Sequence, residues 1–144
     1  GKKPKVIIVV HLYGMPAKIT AIMEIAAKYN ILVIEDAAEA LGASYNNQLC
    51  GTFGDFGILS FNNNKIISAF GGGALVCKNE VIQQKVVFLA TQSREQVPHY
   101  QHCEIGYNYR ISPLIAAIGN YQLNKLNDCI HKRRSINQFI NPYL

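Results

Sequence analysis

The chain lacks the long apolar run that a membrane span requires. No stretch of its 144 residues approaches the roughly 20 consecutive apolar positions of a transmembrane helix, and its first residues do not have the pattern of a secretory signal. Internal repeats and low-complexity segments are also absent. Charged residues are scarce at 16%, against 49% hydrophobic residues, and this balance excludes an intrinsically disordered chain. We expect one globular domain with a modest core.

Metal-binding cysteine patterns are missing as well. The four cysteines, Cys50, Cys77, Cys103 and Cys129, form no CxxC pair and no cluster with histidine, so we expect no metal site. Cys77 ends an apolar strand and is interpreted as a buried thiol. Isolated cysteines without a secretory signal favour the reducing cytoplasm as the location of the protein.

No basic stripe crosses the middle of the chain. The 14 lysines and arginines outnumber 9 acidic residues and give a net charge of +5, but the excess is concentrated at residues 2–5 and 132–134. A nucleic-acid-binding domain would carry a basic surface with aromatic residues between the charges. We therefore expect no nucleic-acid partner, whereas anionic small molecules remain compatible with the charge. The block at 132–134 is interpreted as a solvated helix face.

Apolar patterning predicts a parallel β-α-β unit at the start of the chain. Residues 6–10 are continuously apolar, which is typical of a strand covered on both faces. Residues 17–29 carry apolar side chains at helical spacing after Pro16, and residues 31–34 form the next buried strand. Such units are right-handed and their strands are parallel.

The rest of the chain predicts a mixed sheet flanked by helices. Residues 37–55 are small and polar, so we expect an irregular segment or a short helix at a strand's carboxyl end, where α/β ligand sites form. A third strand at 56–61 is followed so closely by a fourth at 74–77 that an antiparallel pair is favoured. The remaining predictions are helices at 80–90, at 114–126 after Ser112 and Pro113, and from Cys129 onward, with a long surface loop at 91–109.

Two polar residues that interrupt apolar segments suggest pyridoxal phosphate chemistry. Lys65 lies on a polar loop between a strand and three glycines, and Asp36 follows the buried strand at 31–34. Pyridoxal phosphate needs a lysine amine to form its Schiff base and an acid beside its pyridine nitrogen. From spacing alone, Asp36 could equally cap the next turn, and Lys65 could be a solvated charge.

Five motifs in a fixed order give the chain a family resemblance. It resembles the DegT/DnrJ/EryC1/StrS nucleotide-sugar aminotransferases, and the resemblance covers residues 6–139 but corresponds to roughly a third to two fifths of a typical member. It implies an α/β fold: residues 1–144 would be the central part of the large domain of a fold-type-I pyridoxal phosphate transferase, without its amino-terminal part and small domain. The motifs are Glu35-Asp36-Ala37-Ala38-Glu39-Ala40-Leu41-Gly42, Gly51-Thr52-Phe53-Gly54, Ser60-Phe61-Asn62-Asn63-Asn64-Lys65, Gly71-Gly72-Gly73-Ala74-Leu75-Val76 and Gly106-Tyr107-Asn108-Tyr109-Arg110-Ile111-Ser112.

The resemblance also implies a role for each candidate site residue. Lys65 would bind pyridoxal phosphate covalently and then move the proton between cofactor and substrate carbons. Asp36 would partner the pyridine nitrogen, Ser60 would donate its hydroxyl to the phosphate, and Glu39 would lie near the ring hydroxyl. Asn108 would belong to a loop that reaches the cofactor phosphate of a neighbouring subunit, which implies a homodimer with a shared active site. Glu39, Ser60 and Asn108 also have plainer readings as turn or strand-end residues.

Further segments resemble a subgroup of this family. Residues 11–16, 90–95 and 98–102 are similar to bacillosamine-type transaminases, which act on UDP-linked 4-keto-6-deoxy-N-acetylhexosamines. The implied reaction is amino transfer, with glutamate as the expected donor, to the C4 ketone in bacterial polysaccharide biosynthesis. The chain alone is expected to be inactive.

A non-catalytic cofactor-binding or assembly remnant stays open as an alternative, because residues such as Asn63 and Pro113 depart from the family pattern. The three loop histidines, His11, His99 and His102, are interpreted as residues with satisfied hydrogen bonds.

Overall fold

A computed structural model describes residues 2–143, which contain six strands and four helices. The elements in chain order are β1 (Val6–Val10), α1 (Ile19–Tyr29), β2 (Leu32–Asp36), β3 (Ser44–Tyr45), β4 (Gln48–Leu49), β5 (Phe56–Ser60), β6 (Gly73–Cys77), α2 (Glu80–Ala90), α3 (Pro113–Leu123) and α4 (Leu126–Ile140). Short 3-10 turns occupy Leu12–Gly14 and Asn141–Tyr143.

Four strands form one mixed sheet in the order β1-β2-β5-β6. β1 and β5 both run parallel to β2, with Val10 and Ile58 opposite Asp36, whereas β6 is antiparallel to β5, with Gly73 opposite Ser60. The predicted parallel β-α-β unit and the antiparallel fourth strand are confirmed. The fold is therefore α/β, with a mostly parallel mixed sheet flanked by helices.

The helix α1 covers one face of this sheet and forms the larger core. Ile19 and Ala26 stand seven positions apart on the same helical face and pack with Val9 of β1 and Val33 of β2. Each of these four residues is at most 5% exposed. The helix ends at Asn30, whose left-handed conformation lets its N–H bond to the carbonyls of the last turn.

The opposite face of β1 is largely exposed within residues 2–143. Side chains alternate along a strand, and Val6, Ile8 and Val10 on this face are 40% to 65% exposed. The prediction that residues 6–10 are covered on both faces is therefore wrong for the described residues. An uninterrupted apolar run indicates that both faces are suited to burial, but it does not show that this chain buries both.

Three local predictions need correction. Residues 37–55 are irregular, which was one of the two predicted alternatives, but they also contain the hairpin of β3 and β4, which was not predicted, and no short helix. The turn of this hairpin is made by Asn46 and Asn47, both with positive φ. The break between the last two helices lies between Leu123 and Leu126, earlier than predicted. Cys77 is only half-buried, whereas Cys50 is the buried thiol, and burial raises the pKa of Cys50 above its ordinary value.

Close backbone packing at Gly57 gives a test of the fold. A Cβ at this position would overlap the Gly51 carbonyl oxygen, whereas a Cβ at Gly71 would have no atom within 4 Å. We expect Gly57→Ala to lower the free energy of unfolding by about 2 to 3 kcal/mol, because backbone must move to admit the methyl group. Gly71→Ala should change it by less than about 1 kcal/mol. Thermal or urea unfolding measures both, and equal losses would contradict the packing described here.

Candidate active site

Asp36 and Ser60 lie on one face of the sheet, at the carboxyl ends of neighbouring parallel strands. Asp36 ends β2 and stands opposite Ile58, so Ser60 follows two positions later on the same face of β5. Ligand sites of parallel sheets form at this edge. Asp36 Oδ1 accepts a hydrogen bond from the Ala38 N–H at 3.1 Å, and Oδ2 has no donor among residues 2–143. One carboxylate oxygen thus caps the turn and the other is available to a ligand.

The loops that follow these strands bring three predicted site residues together. Glu39, Ser60 and Lys65 line one cavity of about 280 Å³. Asn64 borders the same cavity, whereas Asp36 lies beside it on the sheet and is not among the lining residues. The side chain of Lys65 is 15% exposed, so its amine is mostly enclosed but accessible.

Glu39 holds the Lys65 amine in this cavity. Its Oε2 accepts a hydrogen bond from the Tyr13 N–H at 2.8 Å, and its Oε1 accepts one from Lys65 Nζ at 3.4 Å. The hydrogen bond from Tyr13 and the nearby positive charge of Lys65 lower the pKa of Glu39, and partial burial opposes this shift. Glu39 therefore stays ionised to a lower pH than an ordinary glutamate, and its bonds are lost only as the pH falls through that lowered pKa.

Asn108 lies apart from these residues. It belongs to the surface loop predicted at 91–109, where it pairs with Thr91 in an isolated β-bridge. Asn108 borders two other cavities, and neither of them includes Lys65. Its neighbours Tyr107 and Tyr109 stack their rings 5.2 Å apart and are more than half exposed. Within one chain, the structure does not bring Asn108 to the lysine.

One buried carboxylate next to the site, that of Glu35, was given no role by the sequence analysis. Glu35 precedes Asp36 on β2 but points to the opposite face and is fully buried. Its Oε1 accepts hydrogen bonds from the Phe53 and Gly54 N–H groups at 2.6 and 2.7 Å, and its Oε2 accepts one from the Gly51 N–H at 2.8 Å. The segment 51–54 is thereby bound to β2.

His11 completes the coordination of this carboxylate. Its ring is fully buried, its Nδ1 accepts a hydrogen bond from the Ala17 N–H at 3.1 Å, and its Nε2 lies 2.9 Å from Glu35 Oε2. Since Nδ1 accepts, the proton of the neutral ring is on Nε2 and is donated to Glu35. The prediction that His11 is a satisfied histidine is confirmed. The acidic residue within the buried run 31–35 was the available signal for Glu35, because a buried charge requires partners.

The donor groups at the strand ends fit pyridoxal phosphate. The cofactor needs an amine, a carboxylate for its ring nitrogen and hydrogen-bond donors for its phosphate. Lys65 has an accessible amine, Asp36 has an oxygen without a donor among residues 2–143, and the Ser60 hydroxyl borders the lysine cavity. An α/β sheet with this group of residues at its carboxyl edge is suited to hold pyridoxal phosphate.

Comparison with known proteins identifies the family. A model of the DegT/DnrJ/EryC1/StrS aminotransferase family matches residues 1–144, and the chain belongs to this family of pyridoxal phosphate-dependent sugar aminotransferases. The predicted family resemblance and cofactor are thereby confirmed.

Three curated relatives are similar to this chain, and the names of two of them contain different nucleotides. One relative is EpsN of Bacillus subtilis (strain 168), which is named as a pyridoxal phosphate-dependent aminotransferase by assignment. It is 51% identical over 94% of this chain and 35% of its own length. GDP-perosamine synthase of Escherichia coli O157:H7 is 40% identical over 93% of this chain and 37% of its own. UDP-4-amino-4,6-dideoxy-N-acetyl-beta-L-altrosamine transaminase of Campylobacter jejuni (strain 81-176) is 36% identical over 91% and 35%. The chain spans only about a third of the length of these relatives.

A solved structure has the same fold over the whole chain. The aminotransferase TlmJ from Streptoalloteichus hindustanus superposes with a TM-score of 0.93 at 27% identity, covering 100% of this chain and 39% of its own. The predicted fold class is confirmed by this match.

Two further properties concern residues 2–143 only. Their helices are all too short or too polar to cross a membrane. In the same residues, no three side chains of histidine, cysteine, aspartate or glutamate are grouped so that they could hold a metal ion.

Substitution of the buried Glu35 tests how much its hydrogen bonds contribute to the stability of the fold around the site. Glu35→Gln replaces a carboxylate that only accepts hydrogen bonds with an amide whose NH₂ group must face backbone donors. We expect a loss of about 3 kcal/mol in the free energy of unfolding. The same substitution at the exposed Glu24 of α1 should cost less than about 0.5 kcal/mol. Chemical denaturation compares the two variants, and equal effects would contradict the structural role of the carboxylate.

Proposed function

We propose that the full-length protein transfers an amino group from an amino acid, preferably glutamate, to the C4 keto group of a nucleotide-linked 4-keto-6-deoxy sugar. The observation that carries this proposal is the placement of Lys65, in a cavity with Glu39 and Ser60 at the carboxyl edge of the sheet. Family membership supports a sugar as the acceptor. The chain alone, which spans about a third of its relatives' length, is proposed to be inactive.

The residues of this chain would divide the work as follows. Pyridoxal phosphate supplies, when bound, a ring that withdraws electrons from the reacting carbon. Lys65 would hold the cofactor covalently and then, as a free amine, would move the proton between the substrate carbon and the cofactor carbon. Asp36 would keep the ring nitrogen protonated through its available oxygen. Ser60 would donate a hydrogen bond to the phosphate.

Glu39 would orient the amine during both half-reactions. Its carboxylate is anchored by the Tyr13 N–H, so it offers Lys65 Nζ a fixed acceptor. A proton-transfer group must be held near the atom that it serves. We propose that Glu39 keeps the amine beside the cofactor ring whenever the amine is not covalently bound.

UDP is the nucleotide that we propose for the sugar substrate. The similarity of residues 11–16, 90–95 and 98–102 to bacillosamine-type transaminases supports it, as does the name of the Campylobacter jejuni relative. The GDP-perosamine synthase of Escherichia coli is the competing precedent. The product would enter bacterial polysaccharide biosynthesis in the cytoplasm.

A homodimer with a shared site is the proposed assembly. Asn108 and the exposed, stacked Tyr107 and Tyr109 lie on a long loop away from the Lys65 cavity. Such a loop is placed to contact another molecule, and we propose that Asn108 reaches the cofactor phosphate of a second subunit.

Covalent labelling tests the proposed role of Lys65. The full-length protein, incubated with pyridoxal phosphate and reduced with borohydride, should carry the label on the peptide that contains Lys65. Lys65→Ala should lose both the label and at least about 1000-fold in transamination rate. Lys85→Arg, which changes a surface lysine paired with Glu104, should retain both. A wild-type protein labelled elsewhere, or not at all, would instead support the non-catalytic remnant.

A substrate panel tests the proposed acceptor. UDP-, GDP- and dTDP-linked 4-keto-6-deoxy sugars are offered to the full-length protein with glutamate, and amine formation is measured by mass spectrometry. We expect kcat/KM for the UDP sugars to exceed the others by at least about tenfold, a difference of about 1.4 kcal/mol in transition-state binding. Reaction with GDP or dTDP sugars alone would make the nucleotide assignment wrong while leaving the aminotransferase proposal intact.

A further inference from the structure

Helix α4 turns one of its faces toward the candidate active site. Ile130 packs against Gly42, where a Cβ would overlap the isoleucine side chain. Side chains three, four, seven and eight positions later lie on the same helical face. These side chains are Arg133, Arg134, Asn137 and Gln138. Together with Ile130 they line a second cavity of about 410 Å³. Both arginines are exposed, in agreement with the prediction of a solvated helix face. The space that they border is a cleft and not an open surface.

This second cavity adjoins the cavity of Lys65. Five residues line both, namely Tyr13, Glu39, Leu41, Ile66 and Arg133. Arg133 therefore lies at the boundary between the two spaces, and Arg134 lines the outer space only. A ligand whose reacting group lies at Lys65 and whose remainder extends outward would pass Arg133 first and Arg134 second.

The cleft carries positive charge that has no acidic partner among residues 2–143. The charged residues that line the two cavities are Lys65, Glu39, Arg133 and Arg134. Glu39 is bound to Lys65, whereas within residues 2–143 neither arginine makes a hydrogen bond or an ion pair through its guanidinium group. A guanidinium group binds a carboxylate through two parallel hydrogen bonds, and this geometry makes arginine the preferred residue for carboxylate recognition.

We propose that this cleft binds the amino-acid donor of the proposed transamination and selects a dicarboxylic one. The α-carboxylate of an amino acid is only two bonds from its amino nitrogen. If that nitrogen lies beside the Lys65 amine, the carboxylate falls within the same cavity, and Arg133 stands at the boundary of this cavity. The side-chain carboxylate of glutamate then extends into the outer cavity and binds Arg134. A donor with one carboxylate leaves Arg134 without a partner.

Binding of glutarate tests the cleft independently of catalysis. Glutarate has the two carboxylates of glutamate but no amine, so calorimetry on the full-length protein measures the arginine sites alone. We expect Arg133→Gln to weaken its binding at least about tenfold, equal to about 1.4 kcal/mol. Arg133→Lys should weaken it less, because the charge is retained and the paired geometry is lost. Lys132→Gln is the matched control, since this neighbour lines neither cavity and should leave binding unchanged.

Steady-state kinetics tests donor selection. Arg133→Gln should raise KM for glutamate about tenfold and leave KM for the nucleotide sugar unchanged. Arg134→Gln should lower the preference for glutamate over alanine, measured as the ratio of kcat/KM values, by about tenfold. Lys132→Gln should change neither value.

Three results would overturn this inference. Unchanged glutarate binding in both Arg133 variants would remove the carboxylate site. A raised KM for the nucleotide sugar with an unchanged KM for glutamate would assign the arginines to the diphosphate. A fall in melting temperature of several degrees in Arg133→Gln, without an effect on either KM, would show an ion pair within the protein. The inference rests on the proposed function, but it fails separately: absence of label on Lys65 refutes the transamination, whereas glutarate binding to the cofactor-free protein still reports on the cleft.

Discussion

The buried carboxylate of Glu35 is the constraint on which the arrangement of the site depends. A charge without access to water is costly unless every acceptor position is used, and Glu35 receives three backbone N–H groups and the His11 ring. These donors come from two loops that are distant in sequence, the loop that follows β1 and the segment 51–54. One side chain of β2 therefore ties together the chain segments on either side of it. Removing it would leave several donors unpaired at once, which is more costly than losing any one bond.

The loop that follows β1 also connects the buried carboxylate to Lys65. His11 is bound to Glu35 at the start of the loop, and the backbone of Tyr13, two residues later, binds Glu39. Glu39 in turn accepts the hydrogen bond of Lys65. Tyr13 has a positive φ of 54°, a conformation that a residue with a side chain adopts only when its surroundings hold it there. The bond of His11 to Glu35 and the bond of the Tyr13 N–H to Glu39 both hold this loop, so the loop links the Lys65 amine to a carboxylate on the other face of the sheet.

The sequence was sufficient for the four strands of the main sheet and for two of their pairings, β1 with β2 and β5 with β6, but not for the hairpin of β3 and β4. It also named Glu39, Ser60 and Lys65, which the structure brings to one cavity. Uninterrupted apolar runs marked β1 and β2, and the short interval before residues 74–77 indicated the antiparallel strand. The sequence was insufficient where the same pattern of residues is compatible with two different structures. The exposed face of β1 has the same composition as a covered one, and the two asparagines of the hairpin turn are also common in irregular loops. The role of Glu35 depends on donors that approach from residues 11 and 51–54, and these contacts become visible only in three dimensions.

Strand alternation explains why two adjacent carboxylates have different properties. Glu35 and Asp36 are neighbours on β2, and consecutive side chains of a strand point to opposite faces. The first faces the core and uses all its acceptor capacity on the protein, whereas the second faces the strand edge and keeps one oxygen without a donor among residues 2–143. A carboxylate in the first setting is a structural anchor, and one in the second can serve a cationic ligand. A shift of β2 by one residue would exchange the two positions, burying Asp36 without its donors and exposing Glu35 at the ligand edge. The hydrogen bonds of Glu35 therefore fix the register that makes Asp36 available.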